Sequence, residues 1–343
     1  MYEKMANTLN VSGKWNIHII GYGPSVQHAT IHTHGLGKFN RFSLARLRAP
    51  LKVLIELCRI KPHTIIINTH ELLLTILIYK IVFRCKIIYD VRENYFLNIL
   101  HTQAFPASIR YCVAGWVRLK EWGTQPFINH YLLSEEVYAQ ELNFVKKKFT
   151  ILENKSIVPD GFTRKPNPNK VRLLFTGTID TTTGIWEAIH LGKVLHQVNN
   201  TVELIIVGYS ISPVLRDKVL EEIKKHNFIS YRGIDHLVSH SIIMEEISRA
   251  TAGVVYYPPS PHNRLRVPTK LYEYLACGLP ILYDPESHWH SIVSVHSAGI
   301  GVDFKNPDPV QILNHLAQNS FYPHPVGSAH WQSEEGKFLT ALL

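Results

Sequence analysis

The stretch Arg266–Asp284, RVPTKLYEYLACGLPILYD, holds Lys270 and Glu273 three residues apart, ahead of a Gly-Leu-Pro corner. Pro268 stands where a helix would begin, because a proline's missing N–H is not needed in a first turn. The start of such a helix presents unsatisfied N–H groups and a partial positive charge, which suit a phosphate. Lys270, in the first turn, adds a full charge. Glu273, one turn on, faces the same side, where its carboxylate can accept two hydrogen bonds from a vicinal diol such as a ribose. The spacing therefore suits a nucleotide, phosphates at the helix start and ribose at Glu273. A surface ion pair, worth roughly 0.2–0.5 kcal/mol, is the other reading of the same spacing.

Further polar residues stand at strand ends. His70 and Glu71 follow the β-branched run Thr64–Ile67, and Asp90, Arg92 and Glu93 close the apolar run that begins at Lys86. Ligands of open α/β sheets bind outside the carboxyl ends of strands, so His70, Asp90, Arg92 and Glu93 are candidates. A structural role fits a lone strand-end histidine equally well. The His32/His34 and His288/His290 pairs have metal-ligand spacing on a strand, but no carboxylate or cysteine completes either nearby in sequence, so they read as surface histidines. Gly21-Tyr22-Gly23-Pro24-Ser25-Val26 departs from the dinucleotide fingerprint, with Val26 at the third glycine position and Pro24 intruding.

The elements that must position these residues alternate. Strands are expected at Trp15–Ile20, Thr64–Ile67 and Lys86–Tyr89. A helix is expected over Pro50–Ile60, with Leu51, Leu54, Ile55 and Cys58 on one face, and a buried helix over Leu72–Phe83. Val158–Lys170, rich in Pro and Asn, reads as a linker. Beyond it the pattern restarts with strands at Val171–Phe175, Glu203–Val207, Phe228–Tyr231, Gly253–Tyr257 and Pro280–Tyr283. Helices at Ile185–Val198, Leu215–Lys225, Ile242–Arg249 and Thr269–Ala276 intervene. Almost wholly apolar strands mark parallel sheets covered on both faces. The fold class is α/β, two Rossmann-like doubly wound parallel-sheet lobes. The chain opens with a helix, Met1, Met5 and Leu9 on one stripe and Gly13 as the stop, where such a lobe would open with a strand. The first strand of the amino lobe therefore reads as absent, through a late start or an incomplete lobe.

A length of 343 residues suits two domains, and a hydrophobic fraction of 45% supports buried cores. The scattered Cys58, Cys85, Cys112 and Cys277 form no CxxC, which argues against a disulfide scaffold or structural zinc and for a reducing cytosol. The start has no apolar leader. The longest apolar stretch, Leu72–Phe83, contains Lys80 and is too short to span a bilayer. Residues 1–155 carry 20 Lys and Arg against 10 Asp and Glu, whereas the remainder is nearly neutral. The basic half is drawn to anionic lipid or a polyanionic substrate. Segment 36–61, with Lys38, Arg41, Arg46, Arg48 and Lys52 among Phe39, Phe42, Leu44 and Leu47, suits peripheral contact with an anionic membrane, or else a solvated loop entering a core helix. No nucleic-acid-binding module is evident.

Pro268-x-Lys270-Leu271-x-Glu273-Tyr274-Leu275-Ala276-x-Gly278-Leu279-Pro280-Ile281 resembles the carboxy-lobe signature of the retaining glycosyltransferases of the GT-B fold, family four. Lys86–Asn94 (KIIYDVREN) resembles that family's amino-lobe strand. Tyr131–Asn154, with Ser134 and Asn154, resembles its inter-lobe segment. Leu173–Gly184 resembles the first strand and loop of the carboxy lobe, Ala298–Asp303 a late Gly-rich turn, and Trp331–Leu342 the closing helix. The resemblance implies an acceptor-side amino lobe over 1–157, a donor-binding carboxy lobe over 158–327, and a helix over 328–343 crossing back. It implies a cytoplasmic enzyme of envelope or polysaccharide biosynthesis, at most peripheral on the inner face of the membrane. Such an enzyme moves a sugar from a nucleotide diphosphate to a polysaccharide or lipid-linked glycan, with no metal and no cofactor besides the donor. Glu273 would hold the ribose. Pro268, Lys270 and the backbone around Thr269 and Leu271 would face the diphosphate, with Gly177 and Thr178 as the other phosphate-side loop. His70, Asp90, Arg92 and Glu93 would face the acceptor, His70 and Arg92 nearest the chemistry.

Three departures stand out. The family often carries a donor-contacting Glu eight residues before its ribose-binding Glu, where this chain has Leu265 between Arg264 and Arg266. Its phosphate-holding Arg and Lys after the first carboxy-lobe strand are missing from Thr176–Gly184. Hydroxyls and N–H groups bind phosphate about half as strongly as cations do, which leaves Arg264, Arg266 and Lys270 to compensate. Arg92 replaces a family histidine. These departures keep a second reading open, a catalytically degenerate relative acting as a binding or scaffold subunit. A third, a nucleotide-sugar epimerase, needs acid/base carboxylates that the sequence does not place.

Overall fold

A computed structural model describes residues 2–39, 43–101, 105–146, 148–260 and 265–343. The chain divides into two compact units, Met1–Asn154 with Glu334–Leu343, and Lys155–Ser333. The sequence suggests boundaries at 157/158 and 327/328; the units divide at 154/155 and 333/334.

The second unit is one parallel sheet of six strands. In chain order they are Val171–Thr178, Val202–Tyr209, Ile229–Ile234, Ala252–Val255, Ile281–Tyr283 and Gly299–Gly301, and in space they run 3-2-1-4-5-6. That is the doubly wound order, with its topological switch between the first strand and the fourth. Alternation along the first strand sends Leu173 and Phe175 to one core, with Ile185, Leu195 and Val219. Leu174 goes to the other, with Met244, Ile247, Leu271 and Leu275. The helix Thr269–Ala276 seats Tyr274 in a slot that only a glycine leaves open, since a Cβ on Gly253 would lie 2.4 Å from the ring. The buried Tyr274 hydroxyl is satisfied by the Thr176 hydroxyl at 2.8 Å.

Val158–Lys170, expected to be a linker, is instead a strap on this unit. Val158 and Phe162 pack on the second core, and the Arg164 guanidinium donates to the carbonyls of Gly278 (2.8 Å) and Ala250 (2.6 Å). These carbonyls lie just past the ends of helices Thr269–Ala276 and His240–Arg249, where C-terminal carbonyls lack intrahelical partners. A Pro/Asn-rich composition signals irregular backbone and not a loose one.

In the first unit the strands Thr64–Ile67, Lys86–Val91, His130–Leu133 and Phe149–Ile151 pair in chain order, all parallel. Ile17–Gly21 and Ile31–Gly35 form a separate parallel pair, with Ile17 and Ile31 covered by Ala6 of the helix Tyr2–Ser12. Two helices differ from expectation. The helix expected from Pro50 starts at Leu44 under a Ser43 cap and tolerates Pro50 inside. It buries Ala49, Val53 and Leu57, leaving Leu51, Ile55 and Cys58 exposed. The helix expected to be buried, Leu73–Phe83, hides Leu73, Thr75, Ile76 and Tyr79 and exposes Leu74, Ile78, Ile81 and Val82. A helix apolar on every side offers periodicity no preferred face. The helix Ala107–Thr124 was not legible as an element, its pattern broken by exposed Trp116, Leu119 and Trp122.

Glu121, buried in that helix, accepts a hydrogen bond from the Tyr89 hydroxyl of the sheet at 3.2 Å and lies 3.4 Å from Arg118. Burial, opposed by Arg118, lifts its pKa to about 7. The folded state therefore holds a proton that the unfolded chain releases near pH 4.5, so this group favours folding most at low pH and progressively less as pH rises from about 4.5 to 7. Glu121→Gln should be more stable than the parent at pH 8 by up to roughly 3 kcal/mol, with the gain fading toward pH 4.5. Urea melts of the two proteins across that range check this; a gain independent of pH contradicts it.

Candidate functional site

The switch point of the second unit is where Lys270 lies. Thr269–Ala276 begins after Pro268, which occupies the N-cap (φ −68°, ψ 141°). From its first turn the Lys270 chain runs under the sheet's carboxyl edge and is 5% exposed. Its ammonium sits 4.0 Å from the Phe175 ring centre and 5.2 Å from that of Tyr257, residues of the first strand and just past the fourth. Among the described residues the amine has no hydrogen-bond partner. Gly177, at φ +100°, lies against it: a Cβ there would be 3.8 Å from the lysine Cε. Burial, only partly offset by Glu273, lowers the amine's pKa to about 7. A buried amine without a hydrogen-bond partner, at a strand end, has the charge and the donor capacity to meet an anion.

The neighbours hold this arrangement. Trp289 donates its indole N–H to the Arg266 carbonyl at 2.6 Å and meets Tyr257 edge-on at 5.6 Å. Glu273, one turn on from Lys270, lies 3.2 Å from the His240 imidazole, at the start of the helix His240–Arg249. The Leu271 amide is engaged by the Pro268 carbonyl at 2.9 Å, and its side chain is in the core. Thr269 and Thr178 are exposed, Pro268 and Arg266 half-buried. Leu265 is 38% exposed, and Arg264 lies outside the described residues.

The loop Thr178–Gly184 spends two of its hydroxyls, those of Thr182 and Thr183, on its own turn. Asp180 caps the turn Thr181–Thr183, accepting from the Thr182 amide at 2.9 Å and hydroxyl at 2.7 Å. Thr183 donates its hydroxyl to the Thr178 carbonyl at 2.7 Å. Gly184 (φ +79°) then passes so close to Tyr256 that a Cβ would lie 2.4 Å from its carbonyl oxygen. The Thr182 and Thr183 hydroxyls set the turn, while Thr178, expected with Gly177 on the phosphate side, is exposed.

In the first unit the predicted residues form pairs. Asp90, 2% exposed, accepts from Arg92 Nε at 2.6 Å, while its other oxygen has no hydrogen-bond partner among the described residues. Burial raises its pKa against the pull of Arg92. Glu93 bonds Asn98, and Glu71 pairs with Arg46. His70 lies 3.2 Å from Lys120 and edge-on to Tyr95. Burial first, and Lys120 second, drop its pKa to about 4, so at neutral pH it is an uncharged imidazole able to accept a proton or a hydrogen bond. Tyr95, Lys120, His240, Trp289 and Tyr257 escaped sequence reading, because each reaches its site from an element remote in sequence. The histidine pairs gain partners the same way: His18 lies 3.0 Å from His34 and stacks on His32, and His290 bonds Tyr283.

No protein-family model matches the sequence, and no curated protein matches it. Solved structures do resemble it. A UDP-forming α,α-trehalose-phosphate synthase from Burkholderia xenovorans superposes with a TM-score of 0.66 at 10% identity, over 99% of this chain and 96% of that one. A sucrose-phosphate synthase from Thermosynechococcus elongatus gives 0.65 at 14%, over 99% and 87%. Anabaena HepE, solved with UDP and glucose, gives 0.63 at 13%, over 91% and 86%. At such identities the likeness concerns the fold alone: this chain, built of two Rossmann-like α/β units, has the GT-B fold of these structures.

Proposed function

We propose that this protein is a retaining glycosyltransferase that moves a sugar from a nucleotide diphosphate to a polysaccharide or lipid-linked glycan. One observation carries the reading: the buried, unpartnered Lys270 ammonium at the sheet's switch point, with a helix start and Gly177 beside it. A diphosphate placed there neutralises the amine, and Glu273, 15% exposed and one turn away, is within a ribose's reach. Lys270 holds the charge that grows on the diphosphate as the sugar–oxygen bond breaks. The departing phosphate oxygen, on the retained face, accepts the acceptor hydroxyl's proton. Asp90, Arg92, Glu93 and the neutral His70 are assigned to the acceptor side. Anabaena HepE, similar in fold, binds UDP and glucose, which favours a uridine donor among the candidates.

The protein reaches its acceptor at a membrane surface through 36–61. Opposite the buried side of Leu44–Ile60 stand Leu44, Leu47, Leu51 and Ile55, with Arg48, Lys52 and Arg59 alongside, all exposed; Arg41 and Phe42 lie outside the described residues. Among the described residues no helix is long and apolar enough to cross a membrane.

A second reading, a binding subunit without turnover, is favoured by the self-satisfied Thr178–Gly184 turn and by Leu265. It predicts either no nucleotide-sugar binding or binding with no sugar transfer.

Melting shifts with UDP, GDP, ADP, CMP and dTDP test the site. One nucleotide should stabilise the parent, by about 2.7 kcal/mol at 100 times its dissociation constant. Glu273→Ala should weaken it by roughly 2–4 kcal/mol, and Lys270→Met, which keeps the packing, should abolish the shift; unchanged affinity in both variants rejects the assignment. Because the empty site's amine titrates near 7 and the bound anion requires it charged, affinity should fall as pH rises from 7 to 9. A pH-independent dissociation constant argues against Lys270 as the phosphate cation. Reaction and binding should survive EDTA, since Lys270 does the work a divalent ion does elsewhere; loss on chelation, restored by Mg²⁺, overturns that part.

A further inference from the structure

The first unit carries a pocket lined by three cationic side chains, and an apolar surface, that the proposed reaction does not use. Helix Leu73–Phe83 lies between Leu44–Ile60 and Ala107–Thr124 on the same unit. Opposite their buried sides, Leu73–Phe83 presents Leu74, Ile78 and Ile81 and Ala107–Thr124 presents Trp116, Leu119 and Trp122, each at least 43% exposed. Monomeric soluble proteins rarely leave so much clustered aromatic and aliphatic surface bare. At the carboxyl end of Leu73–Phe83 this surface meets a pocket of about 450 Å³ lined by Lys80, Arg84, Lys86, Ile81, Phe127 and Asn129. No carboxylate lines it. Lys80 is aimed by the Asn129 side chain at 2.5 Å, and Lys86 by the Leu342 carbonyl at 2.8 Å. Arg84, in left-handed backbone (φ 50°), donates its amide to the Lys80 carbonyl at 2.9 Å, while its side chain has no hydrogen bond or ion pair among the described residues and is exposed. Burial lowers the Lys80 pKa, and the nearby Lys148 adds to this. Lys86 reaches the Ala341 and Leu342 carbonyls at the end of the helix Gln332–Leu342, and a helix carboxyl end answers only about half a unit charge, which leaves the Arg84 guanidinium as the cation here with no partner among the described residues.

Cations beside exposed Trp, Leu and Ile are the composition of a surface that lies in a bilayer interface. An acidic protein partner would match the cations but leave the apolar stripe unexplained, and a second copy of this chain would oppose cation to cation. We propose that the pocket holds the phosphate of an anionic lipid headgroup while Ile81, Trp116, Leu119 and Trp122 rest in the interfacial layer. The proposal extends, and rests on, the membrane contact assigned to 36–61, and names a second, specific point of attachment. It leaves the donor site untouched.

Co-sedimentation of the full chain with vesicles tests it. The vesicles are phosphatidylcholine alone, or with about one-third phosphatidylglycerol. The parent should bind the anionic vesicles and hardly the neutral ones. Arg84→Glu changes the local charge by two, so its affinity should fall about thirtyfold, each charge near such a surface being worth a factor of about five. Trp116→Ser combined with Leu119→Ser should release the protein at any lipid charge. Each variant should keep the parent's melting temperature and its nucleotide-induced shift, which separates failure here from failure of the donor assignment. Parent-like vesicle affinity in Arg84→Glu, with loss in Leu51→Ser, would overturn the pocket and keep the 36–61 contact. No vesicle binding by the parent would overturn both. A melting shift with glycerol 1-phosphate in a protein that ignores vesicles would assign the pocket to a soluble phosphate ester instead, and self-association through the stripe would assign it to a second copy.

Discussion

A single ammonium group organises the second unit. Lys270 is carried into the interior by a short helix and left there with two aromatic rings for company. Burying a charge without a counter-charge is expensive, and that expense must be met by packing elsewhere. The packing is visible. Tyr274 is locked into the Gly253 slot and bonded to Thr176, Arg164 closes the carbonyl ends of two helices, and Trp289 holds the Arg266 backbone in place. Each contact fixes the helix that aims Lys270. A sheet in the doubly wound order supplies the opening at its switch point. The unit thus packs closely around a buried amine that has no hydrogen-bond partner among the described residues.

The first unit shows a different economy. Its strand-end polar groups are paired off: Asp90 with Arg92, Glu71 with Arg46, His70 with Lys120. Its unspent features lie on the outward side of its helices, where apolar side chains and cations stand together. The charge asymmetry along the chain, strongly basic up to residue 155 and neutral beyond, has its physical expression there. One unit buries a single amine beside a strand end, and the other carries exposed cations and apolar groups on its helices.

Much of this was legible in advance. Helices Ile185–Val198 and Thr269–Ala276 and the strand Thr64–Ile67 have the bounds that their apolar runs and stop residues suggest. The positions of Lys270 and Glu273 on one helix face follow from a spacing of three residues. Misreadings cluster where the sequence is apolar on all sides. Val53 and Leu57, not Leu51 and Ile55, face the core, and half of Leu73–Phe83 faces outward. Local periodicity cannot rank two equally apolar faces, since the difference lies in which neighbour covers them.

By itself the sequence determined local matters: where many of the strands and helices lie, that the sheets are parallel, and that a lysine and a glutamate share a helix turn. These depend on propensity, alternation and capping, all confined to a few residues. Only the tertiary structure decided that Lys270 is buried and lowered in pKa, that Gly177 leaves room beside it, that His240 reaches Glu273, and that Thr182 and Thr183 bond to their own turn. Burial, desolvation and hydrogen-bond partners are set by groups distant along the chain and brought near by packing. A residue's type is therefore written in the sequence, while its charge state and its availability to a ligand are written in its surroundings.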